Sequence, residues 1–111
     1  MADLERIIEI SMKIVAFSGM AKSEYMLALQ AAKNGDMAGY EERIKNGEGH
    51  YSEAHALHKQ IVSIELETME PQSSLLLMHA EDQLMCSETI KFVVGEVAEL
   101  IQKRSEGDQN A

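Results

Sequence analysis

The stretch Asn34-Gly35-Asp36 divides a 111-residue sequence that otherwise has the character of long helices. Gly35 is a residue type that commonly ends a helix, because glycine readily adopts the left-handed conformation that follows the last turn. Asp36 is a residue type that caps the N-terminus of the next helix with a side-chain oxygen. The stretch therefore predicts that one helix, about residues 4–33, ends here and that a second, about residues 37–68, begins.

Pro71 is the only proline of the chain and marks a second break, since proline inside a helix removes a hydrogen bond and clashes with the preceding turn. Ser73 or Ser74 is expected to cap a third helix that continues to about Arg104. Three helices of about 30 residues, each roughly 45 Å long, with short connections predict an all-α fold. The expected architecture is one domain, residues 1–104, built as three long antiparallel helices in a bundle.

Both ends of the chain carry further expectations. The tail, residues 105–111, is polar and without periodicity, so it is expected to be disordered. The N-terminus lacks the basic and apolar regions of a signal peptide, and no stretch has the length and apolarity of a membrane span. These features predict a cytoplasmic protein.

Charge and cysteine content narrow the possible functions. The formal net charge is −9, which repels phosphate backbones and anionic lipids, so binding to nucleic acids or to a membrane surface is not expected. A basic protein partner is favoured instead, because complementary fields speed association. Cys86 is the only cysteine, so no intramolecular disulfide can form and a reducing compartment is expected.

The third helix carries the main chemical anomaly of the sequence, because His79, Asp82 and Gln83 fall within its apolar arc at about 100° per residue. A charged residue that faces a core is costly unless it is paired or binds an ion. The arc by itself favours a core histidine bonded to a carboxylate, although it is also compatible with an imidazole presented as a nucleophile. The turn before it, residues 75–78, is apolar on all sides, which indicates that subunits pack there. The apolar members of the arc are Leu75, Leu76, Cys86, Ile90, Val93, Val94, Val97, Leu100 and Ile101.

Other histidine and cysteine patterns give weaker hypotheses. His55 and His58 are three residues apart but lack a third metal ligand at helical spacing, so polar contacts are expected of them rather than metal binding. No Glu-x-x-His motif occurs, which disfavours a ferritin-like di-iron site. Cys86 follows His79 by seven residues on the same face, where a packing role is commoner than a catalytic Cys–His pair. A metalloenzyme that uses His55, His58 and a carboxylate is one alternative.

Three stretches of the sequence resemble the lactose/cellobiose-type enzyme IIA component of the bacterial phosphoenolpyruvate-dependent sugar phosphotransferase system. The first is residues 14–23, Ile-Val-Ala-Phe-Ser-Gly-Met-Ala-Lys-Ser, followed by Ala28-Leu29 and by residues 31–36. The second is Ser52-Glu53-Ala54-His55, and the third is Met78-His79-Ala80-Glu81-Asp82-Gln83-Leu84-Met85. The motifs occur in order, and the similarity covers nearly the whole chain outside the tail.

The resemblance implies that His79 accepts a phosphoryl group from the carrier HPr and passes it to a cysteine of the sugar-specific IIB component. It also implies a homotrimer in which Asp82 of each subunit meets the others at the symmetry axis around a divalent metal. Three carboxylates would repel one another there without a cation, and Mg²⁺ suits oxygen ligands. The implied cargo is a β-linked disaccharide of the cellobiose, lactose or chitobiose class, selected mainly by the membrane component.

The sequence departs from the family pattern at two positions. Many relatives have His-x-Gln-Asp-His where this chain has His79-Ala80-Glu81-Asp82-Gln83. Gln83 can form hydrogen bonds but cannot carry a positive charge. Glu81 adds a negative charge, although the helical wheel assigns it to the polar arc. The other functional alternative is a non-catalytic trimeric helical adaptor, in which His79 and Asp82 fix the register of a buried interface.

Overall fold

The protein, described by a computed structural model, folds as three long helices that run up, down and up along an elongated bundle of 65 × 20 × 18 Å. The structure describes the backbone of residues 2–110 and the side-chain environments of residues 4–108. The helices are α1 (Ala2–Lys33), α2 (Met37–Thr68) and α3 (Leu75–Asn110). No strand occurs in the described chain, so the predicted all-α bundle is confirmed. None of the described helices has the length and apolarity needed to cross a membrane.

The first connection has the predicted geometry. Gly35 adopts a positive φ of 78°, the left-handed conformation that closes the end of α1. Asp36 Oδ1 accepts a hydrogen bond of 2.9 Å from the backbone N–H of Gly39, so its side chain satisfies one of the free donors in the first turn of α2.

The second connection surrounds Pro71. α2 ends at a C-cap formed by Met69, which has a left-handed φ of 56°. Ser74 Oγ accepts a hydrogen bond of 3.0 Å from the backbone N–H of Leu77. Of the two serines considered, Ser74 is therefore the one that caps α3, and this cap sets where the helix carrying His79 begins.

α3 continues past the end predicted near Arg104 and is helical to Asn110. The disorder expected for residues 105–111 is therefore not what the structure has at residues 105–110, while residue 111 lies outside the described part. Residues 105–108 are exposed, so this extension does not depend on burial. A residue added to an existing helix gains a backbone hydrogen bond without a new nucleation step, and this explains how a polar segment continues the helix.

α1 lies between the other two helices and packs along both of them, whereas α2 and α3 touch at fewer points. The core along α1 has two parts. The lower part contains Ile7, Ile10, Ile14, Ala54, Ile61, Ile64, Leu77, Ala80 and Leu84. The upper part contains Ala21, Tyr25, Ala28 and Val94. His79 lies on α3 at the level of the lower part of the core, because its neighbour Ala80 belongs to that part.

The face of α3 that packs in the single chain overlaps the predicted arc only in part. Val94 of that arc is buried, but large members of it are exposed, with Leu75 at 83%, Val93 at 55% and Leu100 at 69% of their surface. The prediction that the arc faces the core of the chain is therefore wrong for these exposed residues. The reason is that the contact between helices uses smaller side chains, which bring the backbones closer together. The buried positions of α3 are Leu77, Ala80, Leu84, Ser87, Val94 and Ala98.

α2 packs through a face that includes small residues. Its buried positions are Gly47, Ala54, Ile61 and Ile64, whereas His55 is exposed. Glycine and alanine contribute little to an apolar pattern, so such a face is hard to recognise in the sequence.

Candidate functional site

His79 lies on the exposed surface near the start of α3. The residue after it, Ala80, is fully buried in the lower part of the core. Because successive residues of a helix are about 100° apart, the burial of Ala80 sets the rotation of α3 and directs His79 away from the core. The imidazole is therefore presented to other molecules rather than packed inside the chain.

Asp82 is exposed one turn further along α3. The expected burial of His79 and Asp82 in an apolar stripe is thus wrong for the single chain. Asp82 Oδ1 lies 3.9 Å from Cys86 Sγ, which is a weak thiol contact. Cys86 is itself exposed, so it does not have the packing role that was expected of it within this chain.

Glu81 is turned towards α2, away from His79. His58 Nε2 lies 2.8 Å from Glu81 Oε2, and both side chains are partly exposed. Two residues correspond to about 200° around a helix, which is why Glu81 and His79 point in nearly opposite directions. The polar contact between α2 and α3 continues with Tyr51–Glu88 at 3.1 Å and Lys91–Glu48 at 2.7 Å.

Gln83 is turned towards α1, where Lys22 Nζ donates a hydrogen bond to Gln83 Oε1. Both residues are half-buried. Gln83 follows His79 by four residues, and side chains at this spacing are neighbours on a helix surface. The contact therefore brings an ammonium group of α1 to the next turn of the helix surface that carries His79.

His55 and His58 do not gain the third ligand that a metal site would need. The ring of His55 stacks on Tyr51 with 5.9 Å between centroids, and His58 pairs with Glu81. Within the part of the chain that the structure describes, no three His, Cys, Asp or Glu side chains are grouped to hold a metal ion. The fold therefore gives these histidines partners that are structural.

Asp82 fits a shared metal better than a metal bound by one chain. It stands on a broad exposed stripe of α3 formed by Leu75, Met78, Met85, Phe92, Val93, Val97 and Leu100, which we call the α3 stripe. A carboxylate on such a surface would be costly to cover unless a cation neutralised it. One carboxylate per chain is too few for a hard cation, which takes about six oxygen ligands. The donor chemistry therefore fits a divalent ion only where several copies of Asp82 come together.

The contact between Lys22 and Gln83 was missed in the sequence because its partners are 61 residues apart. A helical wheel relates residues of one helix only, so it carries no information about such a pair. The one available signal was that Lys22 belongs to the first stretch of the family resemblance and Gln83 to the third.

Comparison with known proteins agrees with the resemblance. Residues 9–102 match the family described as the lactose/cellobiose-specific IIA subunit of the PTS system. The chain is 29% identical over 102 residues to the lichenan-specific phosphotransferase enzyme IIA component of Bacillus subtilis, covering 92% of this chain and 93% of the relative. It is 34% identical to the oligo-beta-mannoside-specific EIIA component of the same organism, covering 87% and 88%.

A solved structure shares the fold. The crystal structure of the PTS cellobiose-specific enzyme IIA from Bacillus anthracis superimposes with a TM-score of 0.84 at 33% sequence identity. The match covers 88% of this chain and 90% of that one. The three-helix arrangement is therefore that of a known IIA structure.

Proposed function

The chain belongs to the lactose/cellobiose-specific IIA family and is a phosphocarrier component of the phosphotransferase system, and from this premise we propose that His79 carries its phosphoryl group. The observation that best supports His79 is its outward position beside the buried Ala80. A phosphocarrier must present its acceptor to two different partners in turn, so an exposed imidazole on a rigid helix suits the task.

The proposed donor is phosphorylated HPr and the proposed acceptor is a cysteine of the IIB component. A neutral imidazole nitrogen of His79 attacks the phosphorus, and the bond from phosphorus to the donor breaks as the new N–P bond forms. The donor leaves with the bonding electron pair. In the second transfer, the N–P pair returns to His79 while the cysteine sulfur, as thiolate, forms the new bond to phosphorus.

We further propose that the protein is a homotrimer assembled through the α3 stripe. Leu75, Phe92 and Leu100 expose 83%, 65% and 69% of their surface in the single chain. Soluble monomers rarely expose large contiguous apolar surfaces, and such surfaces commonly mark interfaces between proteins. Packing α3 against α3 would bury this stripe without disturbing the contacts of α1 and α2.

In such a trimer the Asp82 carboxylates would hold a divalent cation, for which Mg²⁺ is our proposal because hard cations prefer oxygen ligands. The ion would neutralise like charges and so stabilise the assembly. The transfer steps proposed above use only the imidazole of His79, which lies three residues before Asp82 on α3, and they need no bond to the ion.

The proposed cargo is a β-linked disaccharide of the cellobiose, lactose or chitobiose class, handled by a cytoplasmic protein. The relatives are named for lichenan, oligo-beta-mannoside and cellobiose, so their names support a class of sugar rather than one sugar. A IIA component transfers its phosphoryl group to IIB before any step that involves the sugar. Relatives with the same fold can therefore serve different sugars.

The test is phosphorylation in solution with phosphoenolpyruvate, enzyme I and HPr, read by intact mass and by acid lability. The wild-type chain should gain one acid-labile phosphoryl group and lose it to IIB, and His79→Ala should gain none. His55→Ala is the matched control, because His55 is another exposed histidine and its loss should leave phosphorylation intact.

Two results would overturn the proposal: a wild-type chain that gains no phosphoryl group, or a His79→Ala chain that still does. A trimer that is never phosphorylated would favour the adaptor alternative, since the α3 stripe alone accounts for assembly.

A further inference from the structure

Lys22 is a cation of α1 that the fold brings into contact with α3 beside the His79 turn. Its ammonium donates to Gln83 Oε1, and both side chains are half-buried. Gln83 and His79 are one helical turn apart on α3 and are therefore surface neighbours. The contact holds a long, otherwise flexible side chain in place near the proposed phosphoryl acceptor.

The packing of α1 on α3 places Lys22 against Gln83, which lies one helical turn after His79. The two helices run in the same direction, and their core contacts set the register. Helical side chains lean towards the N-terminus of their own helix, so the lysine stem points back along α1, in the direction of the level of His79. Gly19, one turn before Lys22, has nothing within 4 Å of where a Cβ would stand, which leaves this side of α1 open.

The charge of Lys22 is not cancelled by its partner. Four other cations of the described chain lie against carboxylates, whereas the acceptor of Lys22 is the neutral amide oxygen of Gln83. The cations paired with carboxylates are Lys13, Arg43, Lys91 and Lys103. A positive charge held by a neutral group stays available to an anion that arrives later.

A phosphoryl group on His79 needs such a cation. The chain has a net charge of −9, so a dianionic group on His79 would enter a repulsive field. Glu81 is held on the α2 side by His58, which keeps a further carboxylate away. Lys22 is the cation whose ammonium contacts the α3 turn next to His79.

We propose that Lys22 binds the phosphoryl group on His79, and that Gln83 positions the ammonium for it. This inference rests on the proposed function, because it assigns a second residue to the same site. Lys22 would move its hydrogen bond from the neutral amide to the phosphoryl oxygens once His79 is phosphorylated, since hydrogen bonds between charged groups are about twice as strong as neutral ones.

The test measures the transfer equilibrium between phospho-HPr and the protein, together with the hydrolysis rate of the phosphorylated protein. Lys22→Gln should lower the equilibrium constant for phosphoryl transfer to the protein by about tenfold or more, the range for loss of one charged hydrogen bond. Lys22→Arg should keep most of the wild-type equilibrium, because the positive charge is retained. Lys45→Gln is the control, since it removes one exposed lysine charge on α2 and should change nothing.

Gln83→Met provides a second variant, which keeps a straight side chain in the helix but removes the acceptor. It should shift the equilibrium in the same direction as Lys22→Gln and by less, because the ammonium remains but is no longer held. If the contact served only to join α1 to α3, both variants would lower the melting temperature and leave the transfer equilibrium unchanged.

The outcomes separate this inference from the proposed function. A wild-type protein that is phosphorylated on His79, with Lys22→Gln at the wild-type equilibrium, overturns the role of Lys22 alone. A wild-type protein that is not phosphorylated, or is phosphorylated without His79, overturns the function itself.

Discussion

Gly47 of α2 packs directly on the ring of Tyr25 of α1. A Cβ built on Gly47 would lie 2.3 Å from Tyr25 Cε1 and 2.7 Å from Tyr25 Cδ1, closer than carbon atoms can approach. Tyr25 is fully buried in the upper part of the core. The absence of a side chain at Gly47 therefore lets α1 and α2 enclose an aromatic ring.

Gly47→Ala should destabilise the protein by about 1–3 kcal/mol, because the new methyl group overpacks a closed contact. Gly49→Ala is the matched control, since nothing lies within 4 Å of a Cβ at Gly49 and alanine favours a helix over glycine by up to about 1 kcal/mol. Urea unfolding would measure both changes. A Gly47→Ala protein as stable as the Gly49→Ala protein would show that the ring is not tightly enclosed.

Tyr25 should make the protein sensitive to alkaline pH. Burial first, and then the charges of Glu48 and Tyr51, raise the pKa of Tyr25 from 10.0 to about 12. Between these values the unfolded chain loses the phenol proton while the folded chain keeps it, so folding stability falls as pH rises from 10 to 12. Tyr25→Phe should remove this part of the fall, on the order of 2 kcal/mol.

Tyr25→Phe should lower the free energy of unfolding only slightly at neutral pH. The hydroxyl of Tyr25 is buried without a hydrogen-bond partner in the described chain, so its removal breaks no bond. Tyr51→Phe is the contrast, since the hydroxyl of Tyr51 bonds to Glu88. Unfolding free energies across the alkaline range would test this, and a Tyr25→Phe protein with the wild-type pH profile would contradict it.

Phe92→Glu should convert the proposed trimer into monomers. Phe92 exposes 65% of its surface on the α3 stripe, so a charge there has no structural cost in the single chain but a large cost in a buried interface. Gln60→Glu adds the same charge at an exposed site of α2 and should stay trimeric. Analytical sedimentation of the wild-type, Phe92→Glu and Gln60→Glu proteins would measure their oligomeric states. A trimeric Phe92→Glu protein would rule out assembly through the α3 stripe.

Asp82→Asn should abolish metal binding while keeping the helical fold. The wild-type trimer should retain about one divalent ion per three chains through dialysis, measured by elemental analysis, because three carboxylates supply oxygen ligands. A chelator should then lower the melting temperature of the wild-type protein and leave that of Asp82→Asn unchanged. His79→Asn is the control and should keep its ion; retention of metal by Asp82→Asn would refute the axial site.

The number, order and ends of the helices were largely predictable because their signals are local. Gly35 and Asp36 end and start helices through their own backbone and side-chain geometry, and a cap at Ser74 was among the expected choices. The end of α3 was not predicted, since no breaker stands between residue 104 and Asn110 except Gly107, which the helix includes.

The packed faces were harder to predict than the helices themselves. α3 carries large apolar residues on one side and a narrower stripe with Ala80, Ser87 and Ala98 on another. A helical wheel assigns the packed face to the side with the larger apolar residues. In the structure α1 packs on the smaller residues, because they allow the two helices to approach closely. The sequence pattern did predict that one chain alone would leave part of residues 75–78 exposed. Leu75 and Met78 are exposed in the single chain, in agreement with that prediction.

By itself, the sequence determined where each helix begins and where the first two end, and singled out His79 and Asp82 by residue type and spacing. Only the tertiary structure decided that these two face outwards, that His58 holds Glu81, and that Lys22 meets Gln83. The physical reason is the distance along the chain over which each interaction acts. Caps and breaks act within about one turn of the backbone. The partner of Gln83 is 61 residues away in the sequence, and the contact forms only once α1 and α3 have packed.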